Sequence, residues 1–283
     1  MSVLLALAAA TGFGLSDFTA GVLSRRVSVF LVTLIGQSAS LLLTWAVTPL
    51  AGGSITGVAL AWGCVAGVAS VGGGMFLYRG LARGRMSVVG PVSAVVTAAG
   101  SAVAGVALGD RPGVVAILGM IAACAAVGLV SATDAPGPAL APGEVRRSLV
   151  NAVAAGCGFI LFFVALHQAG SGAGLWPVAL AQSAGLLLVG CSVLAVAASG
   201  RVRITDLRRV FPHAILVGLL GGGATLAYFF AVHLGLLSVT AVIASLYPAA
   251  TVVPAMLLLH ERLRAVQTAG LALAAVSLVL LSV

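Results

Sequence analysis

The sequence contains no lysine, and only four aspartates and two glutamates stand against its fourteen arginines. Charged residues make up 7% of the 283, where roughly a quarter is usual for a soluble domain. With 61% hydrophobic residues and a mean hydropathy of +1.22, too few polar side chains exist to cover a water-facing surface. An ordinary soluble globule is therefore excluded. Cysteine is scarce too: Cys64, Cys124, Cys157 and Cys191 lie singly in apolar stretches, with no CxxC spacing. They read as small core residues, and neither a disulfide nor a metal site is expected. His260-Glu261 is followed by Arg264 where a zinc motif needs its second histidine. No lysine follows the glycine triplets Gly72–Gly74 and Gly221–Gly223, so neither is a phosphate cradle, and no cofactor is expected. The net charge of +8 and pI near 10.7 would suggest nucleic acid in a soluble protein. Here the arginines sit in short clusters between apolar runs, so no nucleic-acid partner is expected.

Long apolar runs fill the rest. A bilayer core of about 30 Å needs about 20 apolar residues as a helix. Ten segments qualify: Ser2–Leu23, Val29–Leu50, Gly57–Tyr78, Ser87–Leu108, Val114–Ser131, Leu149–Gln168, Ala173–Ala198, Val210–His233, Ser238–Leu259 and Val266–Leu280. They lack the apolar–polar alternation of barrel strands, which leaves an all-α integral membrane protein with ten transmembrane helices. The first run lacks a charged leader and extends to Arg25 and Arg26, so it reads as a retained span. Thirteen of the fourteen arginines fall in odd-numbered connections, leaving only Arg111 on the other side. Basic loops stay cytoplasmic, which predicts both termini outside and a multi-pass protein of the plasma membrane. Trp45, Trp62 and Trp176 all fall near the predicted outer ends, where amphipathic rings favour the interface.

The two halves echo each other. GQSASLLL (Gly36–Leu43) matches AQSAGLLL (Ala181–Leu188), and Gly72–Gly74 matches Gly221–Gly223, with Tyr78 answering Tyr228. LGDRP (Leu108–Pro112) matches LHERL (Leu259–Leu263), and Gly119 answers Gly270. The reading is a five-span repeat over residues 1–131, a cytoplasmic Pro-rich linker over 132–148, and a second repeat over 149–283. Corresponding loops carry opposite charge character: YRGLARGR after span 3 is basic and AVHLGL after span 8 is not. An odd number of spans forces the second half in from the opposite side, the inverted-repeat plan of many secondary transporters.

This arrangement resembles the drug/metabolite transporter superfamily, in particular its ten-helix EamA members, over essentially the whole chain. The most specific part runs from Ser238 to Leu280, with Pro248, then Glu261-Arg262, then Gly270 in the last span. The first half has Thr97 where Pro248 sits and Asp110 where Glu261 sits, with Pro91 a turn or two earlier. The TGFGLSDF start resembles members that carry Ser-Asp-Phe in span 1. The resemblance implies two EamA domains whose fifth spans pack peripherally, and a substrate range of amino acids, sugars, nucleotide derivatives and drugs.

Asp17 is the only acidic residue inside a predicted span, about 12 Å from Arg25 along the helix. Burying its charge costs several kcal/mol, which marks it as a substrate or coupling-ion site. It shares a small-residue stripe with Ala10, Gly14, Gly21 and Ser24, so it is expected to face the bundle. It reads either as a protonatable coupling site or amine contact, or as a structural carboxylate paired with Arg79, Arg83 or His260. Gln37 and Gln182 are repeat-matched near the midplane, and flank a substrate or glue helices together. Tyr247, Ser245 and Thr251 around Pro248 are expected to line the same region, faced by Ser93, Thr97 and Ser101. Pro91, Pro248, Glu261 and Arg262 are assigned structural or gating roles, and His167 and His233 are placed at the outer interface.

The expected function is transport, outward, of an amino-acid-like metabolite or a drug by alternating access. The partners are a small-molecule substrate, the lipid bilayer and protons as candidate coupling ion, with the chain a monomer or homodimer. A flippase for a lipid-linked moiety is the rival within transport. An intramembrane enzyme or scaffold is the rival outside it, and an enzyme would need a convergent nucleophile–base or metal set.

Overall fold

The computed structural model describes residues 1–24, 27–83, 86–131, 142–198, 207–259 and 264–282. All regular structure among them is helical: α1 (Ser2–Ser24), α2 (Val29–Val47), α3 (Gly57–Arg83), α4 (Met86–Ala107), α5 (Val114–Ser131), α6 (Pro142–Gln168), α7 (Trp176–Ala198), α8 (Leu207–Leu234), α9 (Leu237–Ala244), α10 (Tyr247–Leu259) and α11 (Ala265–Ser282). Among the described residues, ten stretches of 18 to 25 residues are long and apolar enough to cross a membrane, α9 and α10 together forming one of them. That is the make-up of a multi-pass membrane protein, since 18 residues rise about 27 Å as a helix. Each stretch overlaps an apolar run read from the sequence.

Two details depart from the sequence reading. The run Ser238–Leu259 is not one helix: it stops at Ala244 and resumes at Tyr247. Pro248 has no N–H to offer the Ala244 carbonyl, and its ring crowds that oxygen. The chain tightens instead, with Leu246 N–H donating to Ile243 O (3.0 Å) and Ala249 N–H to Leu246 O (2.9 Å). Thr97, aligned with Pro248, keeps its N–H, and α4 runs through unbroken. Pro91 lies inside α4, in its second turn, and does not end the helix. The other departure concerns cysteine, because Cys157 and Cys191 are exposed on their helices rather than packed in a core.

The helices pack in a definite pattern. α3 lies against α6 and α7, while α8 lies against α1 and α2. α4 crosses α6, and α9–α10 cross α1; α2 meets α7, α4 meets α9, and α5 meets α11. Small residues permit these approaches, as expected where lipid supplies no hydrophobic force between helices. A Cβ on Gly67 would overlap the Ala181 carbonyl oxygen, and one on Gly218 would overlap that of Gly36. A Cβ on Gly158 would lie 2.6 Å from Gly73 Cα and 2.9 Å from Ala69 O.

The core is concentrated toward the end of the bundle that carries Trp45 and Trp176. Phe162, Phe163, Tyr228, Phe229, Leu166 and Leu237 form its largest buried cluster. All eight residues of α9 are buried, whereas in α10, nearer the arginine-rich end, Val253, Met256 and Leu257 are exposed. Trp45 and Trp176 meet edge to face at 5.6 Å, and the Trp45 indole N–H donates to Ser183 Oγ at 3.0 Å. Toward the arginine-rich end of α7, a Cβ on Gly190 would meet nothing within 4 Å. The largest buried side chains thus gather at the tryptophan end.

Candidate functional site

The geometry around Asp17 follows from what α1 touches on either side. On one side, a Cβ on Gly12 would lie 2.9 Å from Ala224 Cβ, and Ser16 Oγ donates to Val217 O (2.9 Å), both on α8. On the other, a Cβ on Gly14 would lie 2.7 Å from Tyr247 O on α10. Between these contact lines Ala6, Ala9 and Ala10 are buried, and Phe13 meets the ring of Phe162 on α6 at 6.5 Å. Asp17 is one turn from Phe13 toward the arginine-rich end and about 40° around the helix. It therefore lies on the face turned to the other helices, as the small-residue stripe predicts.

Asp17 is exposed, and it makes no hydrogen bond or ion pair among the described residues. Of the cations considered for it, Arg79 is exposed and lies over the Phe76 ring at 5.9 Å. The side chain of Arg83 and the whole of His260 lie outside the described residues. Above Asp17 the interior is filled by aromatic rings: Phe162 stacks on Tyr228 at 6.4 Å, and Phe163 meets Tyr228 tilted by 41° at 4.5 Å. The Tyr228 hydroxyl donates to Phe163 O at 3.3 Å. A carboxylate one turn below an aromatic floor, on an accessible inner face, is chemically equipped to hold a cation or exchange a proton.

Gln37 and Gln182 come together. Gln37 Nε2 donates to Gln182 Oε1 at 2.6 Å and lies 3.3 Å from Gln182 O. The bond gives Gln37 an acceptor and the Gln182 side-chain oxygen a donor, which lowers the cost of burying them and joins α2 to α7. Ser93, Thr97 and Ser101 form one stripe on α4. It lies between the α6 contacts of Val96 and Gly100 and the α9 contact of Gly105. All three are buried; Thr97 Oγ donates to Ser93 O (2.8 Å), while the Ser93 and Ser101 hydroxyls have no partner among the described residues. Ser245 Oγ is turned back onto Ala241 O (2.7 Å) and Thr251 Oγ1 onto Pro248 O (2.6 Å). Tyr247 is half-buried at the α1 contact. α4 packs on α6 and on α9, the helix that ends just before Ser245. Glu261 and Arg262 lie outside the described residues.

Two polar arrangements were not anticipated. Asp110 Oδ2 accepts the Ser238 backbone N–H at 2.6 Å, capping the start of α9, which otherwise has no side-chain cap. The signal was a carboxylate in a helix-end loop, but its partner is 128 residues away in the chain. His167 and His233, both expected at the outer interface, stack on each other at 6.1 Å. His233 Nδ1 lies 2.7 Å from Phe229 O, which accepts its N–H. Among the described residues no group of three or more His, Cys, Asp or Glu could hold a metal ion.

No protein-family profile matches the chain, and no curated protein matches it. A solved crystal structure, described only as that of a protein, superposes with a TM-score of 0.77. The match covers 99% of this chain and 95% of that one at 16% identity, a likeness of fold alone.

Proposed function

We propose that this chain is a secondary transporter of the EamA type, two inverted five-helix halves that carry a small organic solute across the plasma membrane by alternating access. The single observation that carries the reading is a doubling of contacts. Gly158 packs on Ala69 and Gly73, and Gly12 packs in the same way on Leu220 and Ala224. Gly67 meets the Ala181 carbonyl as Gly218 meets that of Gly36. Gly119 meets Leu280 and Leu281, and Gly270 meets Leu129 and Val130. Gln37 meets its own counterpart, Gln182. Reciprocal pairs of this kind are what a two-fold relation between halves produces. By these contacts Gly73 answers Ala224 rather than Gly222, so the matched glycine triplets are two residues out of register.

Five spans per half reverse the second half in the bilayer, and a reversed repeat can exchange its two end-closures around a fixed centre. Closure at the tryptophan end, with the Asp17 side accessible, is one of two such states. With the arginine-rich end cytoplasmic, it is the inward-facing one. Asp17 is the coupling or substrate contact, with protons as coupling ion and an amino-acid-like metabolite or drug moving outward. Gln37 and Gln182 hold the centre, and Pro248 supplies a flexible joint in the second half. The test is solute flux in proteoliposomes under an imposed proton gradient, wild type against Asp17→Asn. Loss of uphill flux with retained exchange is expected; unchanged uphill flux removes Asp17 from the mechanism.

A further inference from the structure

Helix α6 enters the bundle from the arginine-rich end, and its first turns differ from those of its neighbours. Arg146 and Arg147 are both exposed there and, with Val150 and Asn151, line a concavity of about 350 Å³. Asn151 Nδ2 donates to Arg147 O at 3.0 Å, and Glu144, Arg146 and Arg147 are the exposed charged groups of these turns. Directly below Arg146 runs an exposed stripe at helical spacing: Val150 (60%), Val153 (43%), Cys157 and Leu161 (43%). From Arg146 to Cys157 the helix rises about 16 Å, the depth of one leaflet's hydrocarbon, about 15 Å.

A feature with two planar cations at its head and an exposed apolar track one leaflet long has the dimensions and polarity of a membrane lipid. We infer that this face of α6 is a binding site for an anionic glycerophospholipid. The phosphodiester is held between Arg146 and Arg147, and an acyl chain lies along Val150, Val153 and Cys157. Charge complementarity selects the occupant. Guanidinium forks pair with phosphate oxygens, and two of them stand against one carboxylate, Glu144, in the first turns of α6, which leaves the head net positive. A second surface groove argues by contrast. It lies between α2 and α8, has a similar volume of about 360 Å³, and is lined almost wholly by aliphatic and aromatic side chains such as Leu34, Leu42, Phe211 and Leu219. It offers nothing to distinguish one lipid from another.

The full chain is placed in nanodiscs of phosphatidylcholine with or without phosphatidylglycerol, and bound lipid is counted by native mass spectrometry. Phosphatidylglycerol is expected to be retained, and Arg146→Gln/Arg147→Gln to weaken its retention about thirty-fold, about fivefold per guanidinium. Arg111→Gln, at the other end, should leave retention unchanged. Equal retention in the double variant overturns the inference. So does equal displacement by inorganic phosphate and by short-chain phosphatidylglycerol, because the acyl track would then contribute nothing. If the double variant does not fold, phosphatidylglycerol with a photoreactive acyl chain is cross-linked to the wild type. Labelling within residues 145–161 supports the site, and labelling elsewhere overturns it.

Discussion

The Gln37–Gln182 contact makes a prediction that ordinary helix glue does not, because the two partners are unequal. Gln37 Nε2 reaches both the side chain and the backbone oxygen of Gln182, at 2.6 and 3.3 Å. Removing Gln37 leaves Gln182, 9% exposed, with a side-chain amide that has lost its partner. Leaving a buried amide unsatisfied costs about 1–3 kcal/mol, with membrane cycles nearer about 0.6 on average. Removing the Gln182 side chain instead leaves Gln37, which is only half-buried, its backbone acceptor. Gln37→Leu should therefore cost about 1.5 kcal/mol and Gln182→Leu about half that, while the double Leu variant, with no orphaned amide, should cost less than Gln37→Leu alone. The assay is reversible unfolding in mixed micelles titrated with sodium dodecyl sulfate, followed by circular dichroism and analysed as a double-mutant cycle. Strictly additive single costs would refute the pairing, and a larger cost for Gln182→Leu would refute its asymmetry.

Further outcomes follow from the same contacts. Asp110→Ala should lower stability by about 1–2 kcal/mol by removing the cap from α9, and amide exchange should rise first at Ser238. Gly119→Leu and Gly270→Leu should each cost about 1–3 kcal/mol by overpacking the α5–α11 contact, and by similar amounts because each glycine meets equivalent neighbours. A large difference between them in the same unfolding assay would break the reciprocity. If the halves exchange end-closures, the counterparts of Trp45 and Ser183, Gly190 and Ser38, meet in the other state. A Ser38→Cys/Gly190→Cys pair should then cross-link only in conditions that open the tryptophan end.

The spans were legible because hydrocarbon leaves little choice: an apolar run of the right length must be a helix. The orientation of Asp17 was legible from the small residues beside it, since a stripe of alanine and glycine is where another helix can approach. Pro248 marked where span 9 weakens, but a helical pattern does not reveal that Leu246 would turn toward Ile243 O and split it in two. Pairings across the chain were not legible. Depth along a helix places Gln37 and Gln182 at one level without saying that α2 and α7 touch there. Asp110 looked like the outward twin of Glu261 because sequence comparison aligns residues with their counterparts, not with their contacts. The exposure of Cys157 was missed for a related reason, since in a lipid-facing helix an apolar residue carries no signal of which way it points.

The central claim is that two halves of five spans lie in opposite orientations, and sidedness tests it most directly. Single cysteines are introduced at Ser2, within the 132–148 linker and at Val283 in a variant lacking its native cysteines, and probed in intact cells with a membrane-impermeant thiol reagent. Labelling at both termini and none in the linker until the cells are opened is the predicted result. Labelling of the linker together with the termini would contradict it.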